Sequence, residues 1–347
     1  MKGSCAIRFK RSFYLMAILS LGAGQISDAQ VKDSIRVHVD SAINILRSNS
    51  LYSNQVNWRK LTSKIYKSLD TCKTKADTFA ALKTAFNTLG DRHAAFYHYD
   101  NQYRIENTEL TSRYSDSLKS EWKKGPRILT YMIGTKAYIR IPYIGATKPP
   151  DIERVTQEIR DKVYNLAINK PKGWIIDLRL NAGGNIRPML AGLSAFFQDG
   201  ILGYYVNRDG IKQEQIEFRR GELIINNESP IGRDEHKIDL KGSNISILIG
   251  PGTGSSGEGL AIYLKQRGKS KLFGEPTAGL ANSTQGFTFD NDNAYFLISV
   301  SRLANRHGKI LPMQISPDFR VVSNDHFSDP DSDKVIMRAI QWLDQNS

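Results

Sequence analysis

Residues 245–268, ISILIGPGTGSSGEGLAIYLKQRG, run from an unbroken apolar stretch through a glycine-rich turn into a helical segment. A short continuous apolar run bounded by turn residues reads as a buried strand of a parallel sheet. A helix directly after it makes the unit strand–turn–helix. The same unit occurs upstream, where GWIIDLRL (173–180) leads through NAGGN into PMLAGLSAFF. Further strands are expected at AYIRIPYI (137–144), KLFGE (271–275) and AYFLISVSRLA (294–304), and helices at 151–169 and over KVIMRAIQWLDQ. Strand–helix alternation predicts an α/β fold with a largely parallel sheet. Before it, apolar residues recur at helical spacing from about Val31 to Leu89, and Gly90 stops the last turn; three packed helices are expected there.

The chain has 347 residues, 24% of them charged, which suits a folded protein with a sizeable core. Its net charge is +13, but residues 1–29 supply +3 of this and the remaining basic residues are scattered. No compact basic run with interleaved aromatics occurs, so nucleic-acid binding is not expected. Residues 1–11 are basic, 13–24 (FYLMAILSLGAG) are apolar, and Ser27 and Ala29 are small. That order reads as a secretory leader cleaved near Ala29, too short in its apolar part for a comfortable membrane span. The mature chain is expected to be exported, periplasmic or extracellular, with no stable membrane span. Cys72 would then be its one cysteine, without an internal disulfide and expected to be buried. The domain reading is leader 1–29, helical bundle 30–115 and α/β core 116–347.

Three chemistries compete for the turn at 250–259. Gly252, Gly254 and Gly257 spell GxGxxG, and Glu275 stands eighteen residues further on, as a dinucleotide fingerprint would have it. Too little chain follows to complete a doubly wound domain. A phosphate loop lacks its Gly-Lys-Ser ending. Nucleophilic catalysis remains, because Ser255 and Ser256 open a helix whose unpaired N–H groups would stabilise an oxyanion; a plain helix cap is the competing structural reading. The NAGG turn adds weight to catalysis: Gly183 and Gly184 let N–H groups approach a ligand, and both turns leave the same edge of a parallel sheet.

In this order and spacing, GWIIDLRLNAGG, ILIGPGTGSSGE, LFGEPTAG and ISPD (315–318) resemble the tail-specific, C-terminal-processing serine proteases of peptidase family S41. LGDRHAAF (89–96) resembles the histidine segment of the tricorn-like branch. The resemblance implies a crotonase/ClpP-like core and Ser255 as nucleophile, with the oxyanion hole made by the N–H of Ser256 and that of Gly183 or Gly184. The C-terminal-processing branch has a lysine base 25 positions after the serine; here that position is Leu280, and no lysine lies between Lys271 and Lys309. His93 is therefore implied as the base, with an unperturbed pKa of about 6.5 suited to the task. Two features depart from the branch. KILPMQISPD (309–318) holds no glutamate, Gln314 being its nearest polar residue, and Arg92 replaces the serine before the histidine. Orientation of His93 must come from elsewhere, for instance Asp91. No metal or cofactor is expected. The reading is an exported serine endopeptidase acting on polypeptides, with a non-catalytic peptide- or apolar-ligand-binding member of the same fold as the alternative.

Overall fold

The computed structural model describes residues 28–346. Most of the expected leader, with Cys5, lies outside the described residues; Asp28 and Ala29 open the first helix.

Three helices come first: α1 (Asp28–Asn49), α2 (Trp58–Lys67) and α3 (Phe79–Leu89). Gly90 ends α3 at φ +69°, a left-handed stop that glycine adopts without strain. Strands β1 (Ala95–His98) and β2 (Asn101–Tyr103) and the short helices α4 (Thr108–Thr111) and α5 (Asp116–Lys123) follow. The second half comprises β3 (Leu129–Ile133), β4 (Lys136–Arg140), α6 (Pro149–Ala167), β5 (Gly173–Asp177), α7 (Ile186–Gly192), β6 (Gly200–Asn207), β7 (Lys212–Arg219), β8 (Glu222–Ile225) and β9 (Ile245–Ile249). The chain closes with α8 (Ser256–Gln266), β10 (Ser270–Gly274), β11 (Asn282–Phe289), β12 (Ala294–Asn305), β13 (Phe319–Arg320) and α9 (Lys334–Gln345).

The strand–helix alternation produces a six-stranded sheet in the order β13-β10-β9-β5-β4-β3. Its five strands from β13 to β4 are parallel, and β3 joins β4 antiparallel. The alternation within β5 is hidden by its continuous hydrophobicity. Trp174 and Ile176 point into the core shared with α6, α7 and α8, whereas Ile175 meets Val335, Ala339 and Leu343 of α9 on the other face. Helices on both faces are what a parallel sheet needs to exclude water.

The strand expected at 294–304 forms as β12, but in a second sheet of seven strands, β2-β1-β12-β6-β7-β8 with β11 also on β12. This sheet is antiparallel throughout. Its face against the amino-terminal helices carries Phe96, Phe289, Phe296 and Ile298, which share one core with Val39, Leu46, Leu82 and Phe86. Cys72, expected to be buried, is half-exposed in the surface turns between α2 and α3, where Leu69 is the residue that packs on the core.

Candidate active site

Strands β5 and β9 lie side by side and parallel, so the turns that follow them emerge together. Hydrogen bonds stitch the two turns into one unit. The Thr253 hydroxyl donates to the Leu178 carbonyl at 2.8 Å, and the Gly254 N–H to the Asn181 carbonyl at 2.9 Å. The Ser256 hydroxyl donates to the Gly184 carbonyl at 2.6 Å. The two glycine turns picked out in the sequence thus meet at one point.

Ser255 occupies the N-cap position of α8 with φ +52° and ψ −120°. That region of backbone space is sparsely populated by non-glycine residues, costs about 1–3 kcal/mol, and clusters at functional sites. The strained turn presents Ser255 half-exposed to a cavity also lined by Gly184, Asn185, Asn282 and Thr284. Gly183 packs directly behind it: a Cβ there would stand 2.6 Å from the Ser255 Cβ.

Glu258 holds the turn in place. Its carboxylate accepts from the N–H of Ser255 at 2.8 Å, of Gly279 at 2.8 Å and of Leu280 at 2.9 Å, and from the Thr277 hydroxyl. Burial pushes this carboxyl up to about 7 in spite of the four donors. Leu280, at the position where the processing branch has its lysine, contributes a backbone N–H to this hub. Gln314 donates to the Thr277 carbonyl at 3.0 Å and so supports the same loop.

The N–H groups differ in what they are free to do. The Gly183 N–H donates to Asn181 Oδ1 at 3.0 Å. No acceptor among the described residues engages the N–H of Gly184 or of Ser256. Gly184 takes φ +98°, and its missing Cβ leaves room for the Ile144 carbonyl and the Tyr143 ring.

His93 follows the left-handed stop at Gly90 and is half-buried where α3 hands over to β1. Its backbone N–H donates to Asp91 Oδ1 at 3.1 Å, and its Nδ1 bonds Asn282 Oδ1. The chain of bonds continues: Asn282 Nδ2 donates to Ser299 Oγ at 2.7 Å, and Ser299 Oγ donates to Asp91 Oδ1 at 2.9 Å. The Ser299 N–H donates to Asp91 Oδ2 at 2.8 Å. Ser299 gives its hydroxyl proton to Asp91 Oδ1. Ser299 then accepts from the Asn282 amide nitrogen, which turns the Asn282 oxygen toward His93. His93 must therefore carry its proton on Nδ1, and Nε2 is left with a lone pair. Burial pushes the His93 imidazole below its ordinary 6.5, while Asn282 and Asp91 partly restore it. No hydrogen bond joins Ser255 to His93 among the described residues; Asn282 links them, bonding the histidine and lining the serine's cavity.

Beneath the turns, Arg179 forks onto Asp177, with Nη2 donating to Oδ2 at 2.7 Å, and its Nη1 donates to Asp333 Oδ2 at 2.7 Å. Burial acts to raise the Asp177 carboxyl, but Arg179 and Arg140 outweigh it and hold the group below its ordinary range. Asp333 also caps α9 by accepting from the N–H groups of Val335 and Ile336. The DLRLN motif is in this way anchored to the last helix.

The sequence does not single out Asn282 or Ser299; it offers Asp91 as an orienting group for His93, and here Asp91 reaches the ring through Ser299 and Asn282. His38 and His98, for which the sequence offered no motif, form a buried pair at 2.9 Å between their Nε2 atoms. No group of three or more His, Cys, Asp or Glu placed to hold a metal occurs among the described residues.

The fold and the sequence have known relatives. The model of peptidase family S41 matches residues 135–321. The nisin-resistance protein of Lactococcus lactis subsp. lactis is 25% identical over 291 residues, covering 84% of each chain. The chloroplastic carboxyl-terminal-processing peptidase 2 of Arabidopsis thaliana is 23% identical over 167 residues, 48% of this chain and 29% of that one. Among solved structures, a lipoprotein from Streptococcus agalactiae superposes with a TM-score of 0.66 at 20% identity, covering 91% of this chain and 97% of that one. The photosystem II D1 C-terminal processing protease gives 0.56 at 14% identity, covering 83% and 93%.

Proposed function

Since the chain belongs to peptidase family S41, we propose that it is a serine endopeptidase in which Ser255 attacks the scissile carbonyl and His93 is the general base. The observation that carries this reading is the bond between His93 Nδ1 and Asn282, with Asn282 also lining the cavity of Ser255. It supplies the orienting group whose usual counterpart, a glutamate, this sequence lacks. Nε2 of His93 takes the Ser255 proton as the hydroxyl adds to the carbonyl carbon. The negative oxygen of the tetrahedral intermediate settles against the N–H groups of Ser256 and Gly184, both unspent and at or beside a helix N-terminus. Of the two glycines, Gly184 suits this role, because the Gly183 N–H already serves Asn181. The protonated imidazole returns its proton to the leaving amine, and water deprotonated by His93 hydrolyses the acyl-enzyme. A histidine base aligns the chain with the tricorn-like branch.

Export fits the same reading. It rests on the basic, apolar and small-residue order of residues 1–29 and on a lipoprotein among the proteins of like fold. The substrates are then polypeptides met outside the cytoplasm.

Turnover of an unstructured protein such as casein by the purified chain tests the proposal. Activity lost in Ser255→Ala and retained in Ser256→Ala is the expected result. A dead Ser256→Ala beside an active Ser255→Ala would overturn the assignment of the nucleophile.

A further inference from the structure

A second cavity, of about 320 Å³, adjoins the same glycine turn and is walled by Trp122, Pro126, Pro142, Tyr143, Leu180 and Ala182. Its wall is mainly apolar; of its three charged residues Arg127 is exposed, and Arg140 and Glu121 are already engaged. Arg140 donates to the Tyr138 hydroxyl at 3.2 Å and the Phe327 carbonyl at 3.1 Å, and Glu121 pairs with Lys124. Apart from Arg127, what remains on offer is aromatic and aliphatic surface.

Two features join this cavity to the nucleophile. Ala182 on its wall is followed by Gly183, which packs against Ser255. Tyr143, 47% exposed, lines both cavities, and its ring lies against Gly184, a Cβ of which would stand 3.1 Å from the ring edge. An extended peptide advances about 3.4 Å per residue. A substrate whose carbonyl lies at Ser255 therefore reaches the cavity with a side chain within a residue or two. A dry cavity of about 150 Å³ already holds a benzene ring, so this one has room for a large side chain.

We propose that this cavity is the specificity pocket of the enzyme and takes one large apolar side chain of the substrate, leucine, phenylalanine or tryptophan in kind, adjoining the scissile bond. The proposal rests on the serine-peptidase reading, and its test separates the two. Internally quenched peptides would be compared in kcat/KM with each position flanking the cleaved bond set in turn to Gly, Ala, Leu, Phe and Asp. Labelling of Ser255 by a small fluorophosphonate, which needs no side-chain pocket, would be measured in parallel.

Complete burial of a leucine or phenylalanine side chain corresponds to about 10–100-fold in kcat/KM over glycine or alanine, at one position only. Ala182→Leu, which projects into the cavity from the turn, should collapse that ratio toward one. Trp122→Ala should weaken it by widening the pocket. Trp122 also packs edge-on against Tyr114, so Ala182→Leu is the decisive variant if Trp122→Ala does not fold. A labelled Ser255 with equal rates across the series, or a preference untouched by Ala182→Leu, would overturn the pocket and leave the peptidase standing. An unlabelled Ser255 would overturn the peptidase and the pocket with it. Saturation by an apolar small molecule that leaves peptide cleavage unchanged would also count against the pocket.

Discussion

Asp91 and His93 are two residues apart, yet the side-chain path between them runs through Ser299 and Asn282 on two other strands. The carboxylate does not touch the ring. It fixes the direction of every donor along the way and so fixes which ring nitrogen bears the proton. A neutral amide at the end of such a chain orients an imidazole without placing a charge beside it.

Asn282→Ala should lower kcat by about 10–100-fold, the usual result of misplacing a catalytic group by about 1 Å, with little change in KM. Ser299→Ala should lower it less, and Ser299→Thr, which keeps the hydroxyl, should restore the wild-type rate. Steady-state kinetics on one fluorogenic peptide checks the series; a change in KM alone would mean that Asn282 binds substrate instead of setting the base.

The rate should rise with pH through the ionisation of His93, below 6.5. Burial lowers the His93 pKa, so the ring stays neutral, and able to accept a proton, into more acid solution than an ordinary histidine. A pH–rate profile of kcat/KM reports this limb. In His93→Ala the rate should fall by about 10²–10⁴-fold and the limb should flatten. An unchanged profile in that variant would mean that another group is the base.

Ser255→Gly should abolish turnover while raising the melting temperature. Ser255 sits at φ +52°, which glycine adopts freely, and relief of this strain corresponds to about 1 kcal/mol or more. Ser255→Ala keeps a Cβ and should gain no such stability. Thermal unfolding of both variants decides the point; equal melting temperatures would show that the turn is not strained.

The buried pair His38–His98 should make the protein acid-sensitive independently of catalysis. Burial lowers both pKa values, that of His98 to about 4, and the two rings repel when charged. Neutral histidines in the fold and ordinary ones in the unfolded chain give a stability that is complete above 6.5 and lost as pH falls toward 4. The neighbouring charges are Asp290, 3.6 Å from His38 Nδ1, and Lys75, which pairs with Asp290. Denaturant midpoints measured from pH 7 to 4 should fall steeply in wild type and less so in His98→Phe, whose ring suits the surrounding Phe79 and Phe96.

The parts of the site that the sequence made visible are those fixed by local chemistry. Ser255, Ser256, Gly183 and Gly184 each lie in a glycine turn immediately after a buried strand, and His93 lies just past a helix stop. Asn282 and Ser299 depend instead on the pairing of β11 with β12. That pairing contains an irregularity between Ser283 and Thr284, and no spacing rule foretells its register. One signal was present: Ser299 is a fully buried serine in the apolar run AYFLISVSRLA, and buried hydroxyls need partners. The parallel sheet was legible because β5 and β9 are nearly continuous apolar runs and β4 and β10 have apolar centres. Strands β6 to β8 are hairpins with one face partly exposed, and their polar residues, as in KQEQIEFR, mask the pattern.

The most direct test is to treat the protein and its His93→Ala variant with a fluorophosphonate and map the modified residue by mass spectrometry. The account predicts a single adduct on Ser255 in the wild type, forming about 10²–10⁴-fold more slowly in the variant. An adduct on Ser256, or equal rates in the two proteins, would contradict it.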